Sequence, residues 1–182
     1  LREEVSYPMM YQERGGRATT DRGITLLQGR ALGGSTVVNW TTALRVSERT
    51  TRHWRLQHGL EDWGQASLAP HFEAIEERLN VRPWPLSLAN ENNMALYRGC
   101  ESLGWEARNL PRNVKDCANT GYCGLGCPRD AKQSMHLTYI QDALAHGAVV
   151  HVDCKANRLQ TERGRVVAVH ASVLDRASGK PS

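Results

Sequence analysis

A chain of 182 residues has room for one domain, or for a domain carrying an insertion. It is 40% hydrophobic, as soluble globular proteins are, and no apolar run approaches the ~20 residues that cross a membrane. No basic-then-apolar leader is visible, so the expected location is cytoplasmic. The net charge of +4 is spread among interspersed acids and bases, which gives nucleic-acid binding little support.

Residues 1–27 are polar and poorly periodic. Tyr7, Pro8 and Tyr11 read as loop anchors, Gly15-Gly16 as a turn, and residues 23–27 as a short strand. That strand leads into Q-G-R-A-L-G-G-S-T-V-V-N-W-T-T, from Gln28 to Thr42. Gly33 and Gly34 have no Cβ, so the chain can turn with positive φ and bring its backbone against a ligand. Ser35 and Thr36 then offer hydroxyl and N–H groups where a helix could begin, a place that favours anions. Gly29 and Gly33 are too far apart for G-x-G-x-x-G, and no Lys-Ser/Thr follows as in a phosphate loop. Spacing alone therefore leaves the ligand open, a plain turn included.

Residues 43–66 carry Trp54, Trp63, His53 and His58. The two histidines stand five apart, a poor spacing for a shared metal on one helix face. The spacing predicts a helix over 65–80, with Leu68, Phe72, Ile75 and Leu79 on one stripe and Glu73, Glu76 and Glu77 opposite as solvated carboxylates. Pro83-Trp84-Pro85 breaks the chain. A second helix is expected from the N-cap Asn90 to Gly104, with Met94, Tyr97 and Leu103 inward. A third carries Leu137, Ile140 and Leu144 and closes at His146-Gly147; His136 on it is given no role. Residues 148–154 read as a strand buried on both faces, the second half of a β-α-β unit. Glu162-Arg163-Gly164 reads as a hairpin turn, with a strand returning over 165–174.

The five cysteines are an odd number, which argues against a complete disulfide framework. Cys117, Cys123 and Cys127, with Pro128 after the last, have the look of iron–sulfur ligands, yet no fourth ligand stands near and zinc favours C-x₂-C pairs. A cysteine-ligated metal or redox module, or an inactive structural fragment, are the alternatives to a ligand-binding enzyme. As free buried thiols the same residues would serve as small apolar fillers.

The stretch G-R-A-L-G-G-S-T-V-V-N resembles the second flavin-binding motif of the glucose–methanol–choline (GMC) oxidoreductases, G-[KR]-x-L-G-G-[SC]-[ST]-x-x-N. The resemblance runs from about Tyr11 to Leu174. It takes in the Trp54, Gly59, Trp63 stretch and the loop G-x-C-x-x-G-C-x-x-x-A-K-x-S over residues 121–134, which in related proteins forms a substrate-side wall near the flavin and needs no metal. It implies an α/β fold with α+β character, part of an FAD-binding Rossmann-like domain with a helical and loop insertion. Residues 1–45 would hold the FAD-binding strand and glycine loop, 46–130 the insertion, and 131–182 the return helix and strands. Gly29, Arg30, Gly33, Gly34 and Ser35 would line the pyrophosphate–flavin region, with Asn39 and Thr42 near the ring system. Ala156, at the centre of Cys154–Leu159, would meet the adenine through its backbone. Some members link FAD covalently through a histidine just before the asparagine; here that residue is Val38, so non-covalent FAD is implied. The implied reaction takes a hydride from an alcohol carbon to flavin N5. The family's first nucleotide-binding motif and catalytic histidine have no counterpart here, so an internal piece of a larger protein is expected. Such a piece would bind FAD weakly and could expose a sheet edge. The resemblance implies a small alcohol as substrate and leaves the electron acceptor open.

Overall fold

The computed structural model describes residues 2–176 and 178–181. The chain divides into two compact units, Leu1–Gln141 and Asp142–Ser182.

The first unit opens on α1 (Glu3–Met10), where a non-periodic loop is expected. Glu3 and Glu4 lie in its first turn and complement the positive end of the helix. Tyr7 and Tyr11, one turn apart, stack with ring centroids 4.7 Å apart. Residues 23–27 form no ladder; Thr25 makes a single bridge with Ala18. α2 (Glu48–His58) is capped by Ser47, whose side chain accepts from Thr50 N, and ends where Gly59 turns at φ 64°. That reversal brings Trp54 and Trp63 edge to face at 6.1 Å. α3 (Gln65–Arg78) forms where the spacing predicts a helix, but its stripe is only half-buried at Leu68 and Phe72, and Ile75 is exposed. One of its carboxylates is not free, however: Glu76 takes a two-pronged bond from Arg45 at 2.7 and 2.8 Å, and Arg45 lies over Phe72. α4 (Glu91–Ser102) starts where Asn90 Oδ1 accepts from Asn93 N at 3.0 Å.

Between these helices run short extended segments. β1 (Val81–Pro83) and β2 (Pro111–Asn113) pair antiparallel, with Arg82 opposite Arg112. Thr42 bridges to Arg112, and Val114 bridges to Lys132, so chain from four parts of the sequence meets around β2. The core is small and unusually polar. Tyr11, Val38, Val81, Leu125 and Ala131 are buried, and so are Thr41, Asn113, Lys132, Ser134 and Thr138. α5 (Tyr139–Ala145) crosses into the second unit and begins later than its apolar spacing suggests.

The second unit is mainly a hairpin. β3 (Cys154–Glu162) and β4 (Arg165–Val173) pair antiparallel through a turn with Arg163 at φ 50° and Gly164 at φ 76°, the paired positive values of a tight hairpin turn. The expected strand over 148–154 does not form: β3 begins only at Cys154, and Val149 is 78% exposed. A doubly buried strand needs neighbours on both sides, and no described strand supplies them. The architecture is therefore mixed helix with two small antiparallel sheets, α/β in the broad sense. Among the described residues no parallel pairing forms, so the Rossmann-like sheet is not seen. Among them, too, no helix is long and apolar enough to cross a membrane.

Candidate functional site

The loop from Gly29 to Thr42 is folded against its own backbone on one side and open on the other. Gly29 is buried, and a Cβ there would lie 2.6 Å from Gly34 O. Its N–H donates to Ser35 Oγ at 3.0 Å, closing the loop. Gly33 turns at φ 98°, and its missing Cβ leaves room for His136 N, which would otherwise be 2.8 Å away. Gly34, at φ 58°, is different: a Cβ there would meet no heavy atom within 4 Å. Residues Gly34–Val37 make one 3₁₀ turn, shorter than the helix start expected. Thr36 Oγ1 donates to Gly33 O at 2.5 Å and accepts from Met135 N at 3.0 Å. Arg30, Ser35, Asn39 and Thr42 are exposed beside this turn. Asn39 Oδ1 accepts from Thr41 N at 3.1 Å.

Thr41 is fully buried and left-handed at φ 65°, an unfavourable conformation for a β-branched residue. Arg112 holds it there. Its Nε donates to Thr41 Oγ1 at 2.8 Å, and its guanidinium lies 4.5 Å from the centre of the Trp84 ring.

Three contacts hold the cysteine-rich loop over residues 117–134, one from Tyr11 at the end of α1 and two with the glycine loop. Tyr11 is 1% exposed, and its hydroxyl donates to Gly124 O at 2.5 Å. The Trp40 ring covers Gly124 so closely that a Cβ there would fall 2.0 Å from it. Lys132 makes the third. It is 3% exposed, and its ammonium donates to the carbonyls of Val37 at 2.8 Å, Asn39 at 2.6 Å and Cys123 at 2.6 Å. An ammonium has three donors, and here each has an acceptor. Burial pushes the Lys132 pKa down, and the nearby Cys123 and Cys127 oppose that shift. Tyr11 is shifted up, first by burial and then by Tyr7.

Of the residues predicted to hold a cofactor, the structure gathers Gly29, Arg30, Gly33, Gly34, Ser35, Asn39 and Thr42 on one loop. Ala156 lies in the other unit, on the exposed β3 strand beside a bulge. Trp40 and Arg112 carry no signal in the sequence, and Tyr11 reads there only as a loop anchor. Their partners are tens of residues away, and only Lys132 carried a local signal, in the A-K-x-S string. Among the described residues no group of three His, Cys, Asp or Glu is placed to hold a metal ion.

Comparison with known proteins agrees with the motif. A family profile described as GMC oxidoreductase matches residues 7–180. An uncharacterised GMC-type oxidoreductase of Mycobacterium tuberculosis is 36% identical over 161 residues, covering 87% of this chain and 26% of the relative. A long-chain-alcohol oxidase of Arabidopsis thaliana is 29% identical over 154 residues, 85% of this chain and 20% of the relative. An oxygen-dependent choline dehydrogenase of Xanthomonas campestris is 37% identical over 89 residues, 44% of this chain and 16% of the relative. The chain thus spans about a quarter or less of these relatives. No solved structure matches at the same level of significance. The profile covers nearly all of the chain, and the chain belongs to the GMC oxidoreductase family.

Proposed function

We propose that the protein containing this chain is an FAD-dependent oxidoreductase acting on the CH–OH group of an alcohol, and that this chain holds part of the cofactor. The observation that carries the proposal is the two-sided glycine loop. Its inner side is locked by Gly29, Ser35, Thr36 and Lys132, while Gly34 and the exposed Arg30, Ser35, Asn39 and Thr42 face open space. Such a loop fits a dinucleotide. Gly34 lets the backbone come close, and Arg30 supplies positive charge for a pyrophosphate. Ser35 would line the pyrophosphate–flavin region with Arg30; Asn39 and Thr42 would supply polar side chains near the ring system, and Ala156 a backbone contact for the adenine. When bound, FAD would supply the hydride acceptor. Val38, 3% exposed and apolar, stands where some family members carry the linking histidine, so the cofactor is held without a covalent bond.

The alcohol class is supported by the names of the relatives, a long-chain-alcohol oxidase and a choline dehydrogenase. In the whole protein the two units would belong to a Rossmann-like FAD domain, with residues 46–130 as its insertion on the substrate side. The test is the visible spectrum of the purified full-length protein, without air, before and after a primary alcohol. Absorption bands near ~370 and ~450 nm that bleach with the alcohol are expected of a working flavin site. A colourless protein that takes up no added FAD would sink the proposal.

A further inference from the structure

The three thiols that no metal geometry joins share one small cavity. Cys117, Cys123 and Cys127 line it together with Arg112, Tyr122 and Lys132. Its volume is about 50 Å³, enough for a few water-sized molecules. All five cysteines of the chain are free. The groups around the sulfurs are donors and cations. Arg112 Nη2 donates to Cys123 Sγ at 3.5 Å. The buried Lys132 ammonium lines the same cavity as Cys123 and Cys127 and is fixed there by its bond to Cys123 O at 2.6 Å. An apolar filler needs none of this.

We propose that this cavity is a peroxide-reactive thiol site with Cys127 as the nucleophile. The Cys127 thiolate attacks one oxygen of hydrogen peroxide. An S–O bond forms, the O–O bond breaks, and hydroxide leaves and takes up a proton as water. The sulfur is oxidised by two electrons to a sulfenic acid and the peroxide is reduced. Burial pushes the Cys127 thiol up, but the backbone of Lys132, Arg129 and Ala131 and the Lys132 charge favour the thiolate and hold the thiol below its ordinary range. The cavity's size admits hydrogen peroxide, and its donors suit the departing hydroxide. The site stands apart from the flavin proposal and does not need it.

The experiment treats the purified full-length protein with hydrogen peroxide in the presence of dimedone, which traps sulfenic acids, and maps the modified peptides by mass spectrometry. Cys127 is expected to be labelled about tenfold faster than Cys154, although Cys154 is exposed and Cys127 only partly so. Alkylation by iodoacetamide across pH is expected to give a midpoint for Cys127 below the ordinary thiol value, through the Lys132 charge, with Arg112, Cys117, Tyr122 and Cys123 the other titratable or charged groups facing the cavity. Labelling of Cys154 first, with Cys127 untouched until the protein is unfolded, would overturn the proposal. So would stoichiometric iron on these thiols in the protein as purified.

Discussion

The knot around Lys132 and the β3–β4 hairpin satisfy their backbone groups in opposite ways. In the hairpin two nine-residue strands pair along a ladder interrupted by two register shifts, and nearly every side chain is exposed, including Leu159, Val166, Val167 and Val169. In the knot there is almost no regular structure, yet Tyr11, Val38, Thr41 and Lys132 are buried, and side chains reach the carbonyls that a ladder would otherwise pair. Backbone pairing and burial are therefore separable. A two-stranded hairpin by itself is marginal in water, because ladder bonds contribute little net stability without apolar cover. A knot of irregular loops is stable only while each buried polar group keeps its partner. Substitutions should fall hard on the knot and lightly on the hairpin.

The largest effect is expected from Lys132→Met. It leaves the carbonyls of Val37, Asn39 and Cys123 without their donor in a buried place. The loss should be on the order of 3 kcal/mol, read as a lower urea midpoint, together with loss of bound flavin. A loss under about 1 kcal/mol would show that the two loops are held together by something other than this ammonium.

Gly29→Ala and Gly34→Ala divide the glycine loop into its two sides. At Gly29 a methyl would strike the backbone of Gly34 and Ser35 at 2.6 and 2.8 Å, so the loop must shift, at about 1–3 kcal/mol of stability. At Gly34 the methyl enters open space, and the left-handed φ of 58° costs about 1 kcal/mol. The affinity for FAD should fall tenfold or more in Gly34→Ala, since the open side is where the cofactor is proposed to lie. Equal flavin affinity in Gly34→Ala and the unmodified protein would move the cofactor off this face.

How much of this could be read from sequence follows the same division. The glycine loop and the hairpin turn were legible because their chemistry is local: Gly33, Gly34 and Gly164 take positive φ at no steric cost, as such turns need. The helices over 65–78 and 91–102 were legible from their spacing and caps. The knot was not, because Lys132 reaches Val37 across 95 residues and Arg112 reaches Thr41 across 71, and neither pairing leaves a periodic trace. α1 was missed for another reason: eight residues with Pro8 among them give little apolar periodicity to see. The strand expected over 148–154 failed because Val149-Val150 reports a liking for burial without saying what would cover it.

Tyr11→Phe tests the knot with less damage. The hydroxyl's bond to Gly124 O is lost and a buried carbonyl is left unpaired, for about 1–2 kcal/mol. The unmodified protein also carries a pH signature. The folded pKa of Tyr11 is raised, so the folded state keeps its proton where the unfolded chain has lost it. That contribution is fully present below the ordinary tyrosine value of about 10 and is lost as pH climbs from there through the raised folded value. The variant should lack this alkaline loss when urea midpoints are compared on the two sides of pH 10.

The smallest effect is expected in the hairpin, and it is the one that most sharpens the contrast. Leu159 and Val169 are cross-strand partners, 58% and 56% exposed. Leu159→Thr puts a β-branched strand former at the position and removes only apolar contact, so the cost should be a few tenths of a kcal/mol in urea denaturation. If the folded full-length protein instead loses about 2 kcal/mol or more, that face is covered, because only the burial of a leucine side chain supplies a loss of that size. The hairpin would then resemble the knot after all, its stability residing in what packs on it, and the backbone ladder would be the lesser part.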